Sequence, residues 1–152
     1  MGDLAYLWPG ETSLKKYFKK RHRQGKLTHS WYFCDGNHED HDSLDQLWKE
    51  QNKPNIVSLC PGLFHVRRGS IVEIENVTHL FCGGANSTDK QYRIAGKTWW
   101  EQEAPNSLDL QLFADNMEKF PQVVVTHEVP TRMQLYRSGR DHDHVARGFD
   151  II

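Results

Sequence analysis

The chain has 152 residues, 38% of them hydrophobic and 26% charged, with a formal net charge of −1. That size and balance suit one soluble domain with a single core and exclude a disordered segment. No apolar run approaches the roughly 20 residues of a membrane-spanning helix, no signal-peptide pattern is present, and no global basic bias recruits nucleic acid or an anionic membrane surface.

In chain order, Gly2-Asp3 is the kind of pair that follows a strand, yet no strand precedes it. Thr12 or Ser13 is expected to cap a helix to about Arg23, with Leu14, Tyr17 and Phe18 on the apolar face. Its lysines and arginines read as solvated surface rather than a phosphate-attracting patch, so nucleic acid is not an expected partner. Gly25 ends that helix. The apolar run 29–34 reads as a buried strand. Asp42 or Ser43 should cap a short helix with Leu44, Leu47 and Trp48 inward. Residues 52–61, with Pro54 and Pro61, read as an irregular connection. Residues 63–66 and 71–74 flank Arg67-Arg68-Gly69-Ser70, a hairpin signal. Residues 77–82 form another buried strand. A helix over 108–119 should bury Leu108, Leu112 and Met117. Val123-Val124-Val125 reads as a fully buried strand from its β-branched run. The rest, 131–152, is a polar, loosely ordered tail carrying Asp141-His142-Asp143-His144. Cys34, Cys60 and Cys82 lie in or beside apolar stretches and read as reduced thiols of a cytoplasmic protein.

Three of these strands open into loops that carry chemistry. The first is Asp35-Gly36-Asn37-His38-Glu39-Asp40, the second Gly83-Gly84-Ala85-Asn86-Ser87-Thr88-Asp89, the third Thr126-His127-Glu128-Val129-Pro130. Strand ends are where open α/β sheets place their sites. With Asp3 these loops supply a carboxylate, an amide oxygen and two imidazoles, a donor mixture suited to divalent Mn, Fe, Zn or Ni.

Gly2-Asp3, Gly36-Asn37-His38-Glu39, Gly83-Gly84-Ala85-x-Ser87-x-Asp89, Arg93, Trp99-Trp100-x-x-Glu103 and Thr126-His127-x-x-Pro130 occur together and in that order. On these pieces, spread over 1–130, the chain resembles the calcineurin-like metallophosphoesterases, in particular a bacterial and phage branch. The resemblance implies an α/β fold: a partial αββα sandwich of two packed mixed sheets with flanking helices, forming one truncated domain over 1–152. It implies that Asp3 bridges two metals, that Asn37 and His127 ligate the second, and that His38 gives a proton or hydrogen bond to the leaving oxygen of a phosphoester. A bridging hydroxide would then attack phosphorus in line.

The chain departs from that pattern at both ends of the motif series. The Asp-x-His strand and the Gly-His-x-His motif are missing, and His142-x-His144 lacks the glycine. The first metal would keep only Asp3, whereas the second keeps Asp3, Asn37 and His127. Three protein donors and a water can hold an ion; one donor cannot. At most one ion is therefore expected. The missing strands suggest a split or truncated frame whose open sheet edge is completed by a second chain or by self-association. Two functions from different classes follow: a metal-dependent phosphoesterase or a piece of one, and a catalytically dead scaffold acting as a binding or regulatory module. Arg93 with Asp89 should be an ion pair tying down the Gly83-Gly84 loop. Trp99 and Trp100 read as packing residues, Glu39, Asp40 and His41 as supports of the loop and the next helix, and Glu103 as either a buried partner of Arg93 or a surface acid.

Overall fold

The described residues of this computed structural model are Asp3 and 12–129. Helix α1 (Ser13–Arg23) follows Thr12, whose side chain makes no capping bond, and Gly25, at φ +63, turns the chain away from it. Strand β1 (Trp31–Phe33) is shorter than the expected run 29–34. Helix α2 (His41–Glu50) starts earlier than expected because Asp40, not Asp42 or Ser43, is its cap: the Asp40 carboxylate accepts from the Ser43 N–H at 3.0 Å and the Ser43 hydroxyl at 2.6 Å. The supposed irregular connection contains strand β2 (Ile56–Cys60).

Strands β3 (Leu63–Val66) and β4 (Ser70–Ile74) are not a hairpin. They belong to different sheets, and Arg67-Arg68-Gly69 carries the chain from one to the other. Gly69 sits at φ +71 and its N–H donates to the Phe81 carbonyl at 2.8 Å. The real hairpin is β4 with β5 (Val77–Cys82). Its two turn residues, Glu75 and Asn76, both have positive φ (52 and 63), the twist that a two-residue hairpin of type I′ needs. Helix α3 (Ser107–Met117) follows Asn106, which forms a capping box with Asp109, and β6 (Val123–Thr126) closes the described chain.

The strands make two small mixed sheets, ordered β1-β3-β2 and β4-β5-β6, with β1 parallel to β3 and β6 parallel to β5. Alternation along the strands sorts the side chains into layers. Phe33, Leu63 and Cys60 pack under α1 and α2 with Phe18 and Leu44. Cys34 and Val66 of the first sheet meet Val72 and Phe81 of the second. Leu80 and Cys82 turn the other way, onto Phe113 of α3. The order is thus helices, sheet, sheet, helix. It brings the ends of β1, β5 and β6 to the same region: β5 and β6 are in register to Cys82 and Thr126, and the Gly84 N–H just beyond β5 donates to the Asp35 carbonyl just beyond β1 at 2.8 Å.

Several burial expectations fail: Tyr17, expected on the apolar face of α1, and Trp31, in the run expected to be a buried strand, are exposed. In α3, Leu108 and Leu112 are exposed and Phe113 and Asn116 are buried. The Asn116 amide donates to the Gly69 carbonyl at 2.6 Å, and this contact sets the helix phase. In β6, Val123 and Val124 are exposed rather than buried; among the described residues β6 pairs only with β5 and lies at the sheet's edge. All three cysteines are buried free thiols. Burial pushes the Cys34 and Cys82 thiols up to about 12, so both stay protonated. Among the described residues no helix is long and apolar enough to cross a membrane.

Candidate metal centre

The loop after β1 is fixed from behind by its first residue. Asp35 is 2% exposed. Its carboxylate accepts from His65 Nε2 at 3.0 Å and from Arg68 Nε at 2.8 Å, with Arg68 Nη2 closing a second bond to the same oxygen. Burial alone would raise this carboxyl's pKa; the Arg68 guanidinium and His65 outweigh burial and hold it well below the usual carboxylate range. Arg68 also ties the loop to residues 102–103 through the carbonyls of Gln102 (2.8 Å) and Glu103 (3.1 Å). Gly83 must lack a side chain, since a Cβ there would lie 2.3 Å from the Asp35 carbonyl oxygen.

The far side of the loop is closed by the residues expected to support it. Glu39, fully buried, accepts from the Gly36 N–H at 2.5 Å, and His41 Nε2 donates to the Gly36 carbonyl at 3.2 Å. Burial pushes the Glu39 carboxyl up to about 8, partly offset by that N–H, and burial lowers His41. At neutral pH both are therefore largely uncharged, which lets them sit in the interior.

On this frame the residues singled out in the sequence come together. Asp3 Oδ1 accepts from the His38 N–H at 2.9 Å, and Asp3 Oδ2 lies 3.7 Å from His127 Nε2. Gly36 makes room for Asp3: a Cβ on it would be 2.2 Å from Asp3 Oδ1. Asn37 Nδ2 donates to Ser87 Oγ at 2.9 Å, and Ser87 in turn gives its hydroxyl proton to Glu103 Oε2 at 2.9 Å and its N–H to Oε1 at 2.8 Å. Glu103 is thus a buried acceptor for Ser87 rather than a partner of Arg93 or a surface acid. Because the Ser87 proton is committed to Glu103, the amide must face Ser87 with its nitrogen, and Oδ1 is the oxygen it presents elsewhere. The Ser87-Glu103 relay is the part of the site that sequence reading left without a role; the signal was the serine inside the Gly-rich loop.

Arg93 pairs with Asp89 at 2.9 Å, as expected, but does more. Its Nη1 donates to the Asn37 carbonyl at 3.3 Å and its Nη2 stands 3.0 Å from His38 Nε2. A guanidinium only donates, so His38 accepts at Nε2 and carries its ring proton on Nδ1. Trp100 is buried, with Nε1 donating to Asp42 at 3.0 Å, and serves packing; Trp99 is half-buried. Gly2, Pro130, His142 and His144 lie outside the described residues.

Asp3 and His127 are groups of the kinds that ligate divalent cations. A 3.7 Å gap between Asp3 and His127 is too long for a hydrogen bond but suits two donors that share an ion at about 2.0–2.2 Å. No group of three or more His, Cys, Asp or Glu that could hold a metal ion occurs among the described residues. A cavity of about 420 Å³ lies elsewhere, lined by Asp35, His41, His65, Arg67, Arg68 and Asp109 among others, and none of Asp3, Asn37, His38 or His127 lines it. Compared with models of known families, with curated proteins and with solved structures, the chain matches none.

Proposed function

We propose that this chain is a one-ion form of a metallophosphoesterase-type αββα scaffold, built to hold a divalent metal and a phosphoester. The observation that carries the reading is the meeting of Asp3 with His127, just beyond β6, and with the Asn37-His38 segment beyond β1, three places far apart in sequence. The four-layer order and the neutralised interior behind the loop agree with it.

Asp3, the Asn37 side-chain oxygen and His127 would hold the ion. When bound, it would supply positive charge against the phosphate and acidify a bound water. The chain's own residues do the remaining work. Asp35 with Arg68 and Glu39 with Gly36 keep the loop rigid. Ser87 and Glu103 aim the Asn37 oxygen. The His38 N–H holds Asp3, and Arg93 donates to Nε2 of the His38 ring and fixes it, its other ring nitrogen, Nδ1, being buried. Arg93 acts through His38 and Asn37 and is a positioning residue.

Hydrolysis of a chromogenic phosphodiester with added Mn tests this. Turnover that chelator abolishes and that His38→Ala cuts by about 10²-fold or more supports it. A folded chain that binds the ion but turns nothing over supports the second reading, a non-catalytic binding module. What favours that second reading is that no group of three or more His, Cys, Asp or Glu that could hold a metal ion occurs among the described residues.

A further inference from the structure

Residues 12–34 contain seven lysines and arginines and no aspartate or glutamate. Against −1 for the whole chain, +7 here leaves −8 for the rest. None of the seven pairs with a carboxylate among the described residues. Lys16, Lys19, Lys20, Arg23 and Lys26 are exposed. From the sequence alone this face reads as solvated surface. The structure adds two aromatic rings to it. Tyr17 is 56% and Trp31 51% exposed. Both stand edge-on to the same buried ring, Phe18, with centroids at 5.7 Å and 6.0 Å. Phe18 is locked into the core, so the two outer rings are held in place on the same basic stretch of chain.

We propose that this face binds single-stranded nucleic acid, the lysines and arginines contacting phosphates and Tyr17 and Trp31 stacking on unpaired bases. Positive charge tracks the backbone of a strand, and a fixed exposed ring accepts any base face. A duplex keeps its base faces stacked and would leave both rings idle. An anionic membrane fits worse: a helix that lies on a bilayer inserts its apolar face, and the apolar face of α1, Leu14 and Phe18, is already packed against the sheet. Trp31 begins the strand whose other end leads to Asn37, so this surface is separate from the candidate metal centre, and the proposal stands without it.

The test is fluorescence anisotropy of a labelled oligo-dT of about 20 nucleotides with the full chain, at several salt concentrations. Binding should weaken linearly in log–log form as salt rises, with a slope near −0.7 per phosphate contacted, and Trp fluorescence should be quenched. Lys16→Glu with Lys20→Glu should weaken binding at least tenfold. Tyr17→Ala should cost roughly tenfold. Because Trp31 contacts Phe18, Trp31→Leu is paired with Trp31→Phe; the second should keep most of the affinity. Circular dichroism confirms that each variant folds. The proposal is overturned if the aromatic variants bind as the parent does, if a duplex of the same length binds as tightly, or if phosphatidylserine vesicles are bound in preference to the oligonucleotide.

Discussion

Gly36 is the residue on which Asp3 depends most directly. Its missing side chain is the space Asp3 occupies: an added Cβ would meet both the carboxylate (2.2 Å) and the backbone nitrogen (2.8 Å) of Asp3. Gly36→Ala should therefore displace Asp3 and lower Mn affinity at least tenfold, read by isothermal titration, while the core, remote from it, keeps the melting temperature within a few degrees. Asp35 gives a prediction in the acid range. Its folded pKa lies below the unfolded value of about 3.9. A depressed carboxyl contributes stability above the unfolded pKa and loses it as pH falls through the folded one. Stability should thus decline below about pH 4. Asp35→Asn should flatten that decline and, by leaving Arg68 buried without its partner, cost about 3–5 kcal/mol at neutral pH by denaturant titration. Asn37, His38, Asp89 and His127 were legible as loop residues after strands, whereas Asp3, with no strand before it, and Arg93 were singled out by the order of the motif pieces. Their mutual contacts were not, since a contact such as Asn37 to Ser87 spans 50 positions and depends on how two loops stack.

At the scale of elements, local signals worked where local physics decides. Gly25 ended α1, and Glu39 and His41 served the loop. Signals failed where a tertiary contact decides. The β-branched run at 123–125 marks a strand correctly but says nothing of how many neighbours the strand has, and among the described residues β6 has one. Arg67-Arg68-Gly69 looks like a hairpin turn, yet Arg68 is drawn into Asp35 and the chain crosses to the other sheet. In α3 the Leu pattern competes with Asn116, and the buried Asn116 bond to Gly69 prevails. The α3 capping box is worth testing alone: Asn106→Ala removes an acceptor from the N–H groups of Leu108 and Asp109 (2.8 and 3.0 Å) and should cost about 1 kcal/mol of unfolding free energy.

Across the whole molecule, two thin sheets share one interior layer, and each has its own helical cover. That mixed α/β class was legible in the alternation of strands and amphipathic helices. The pairing order was not, because order depends on which edges are left to pair. Leu80, central in the middle strand and fully buried, should cost about 2–5 kcal/mol when cut to Ala. Val124→Lys, on the exposed edge strand, should change stability by less than about 0.5 kcal/mol, both by the same denaturant melts. The central claim is that this architecture brings Asp3, Asn37 and His127 to one ion. Isothermal titration of Mn into chelator-stripped protein measures that directly. The account predicts one ion per chain, with affinity lost in His127→Ala and in Asn37→Ala although both variants still melt like the parent. Absence of binding by the folded parent, or affinity unchanged in those two variants, would contradict it.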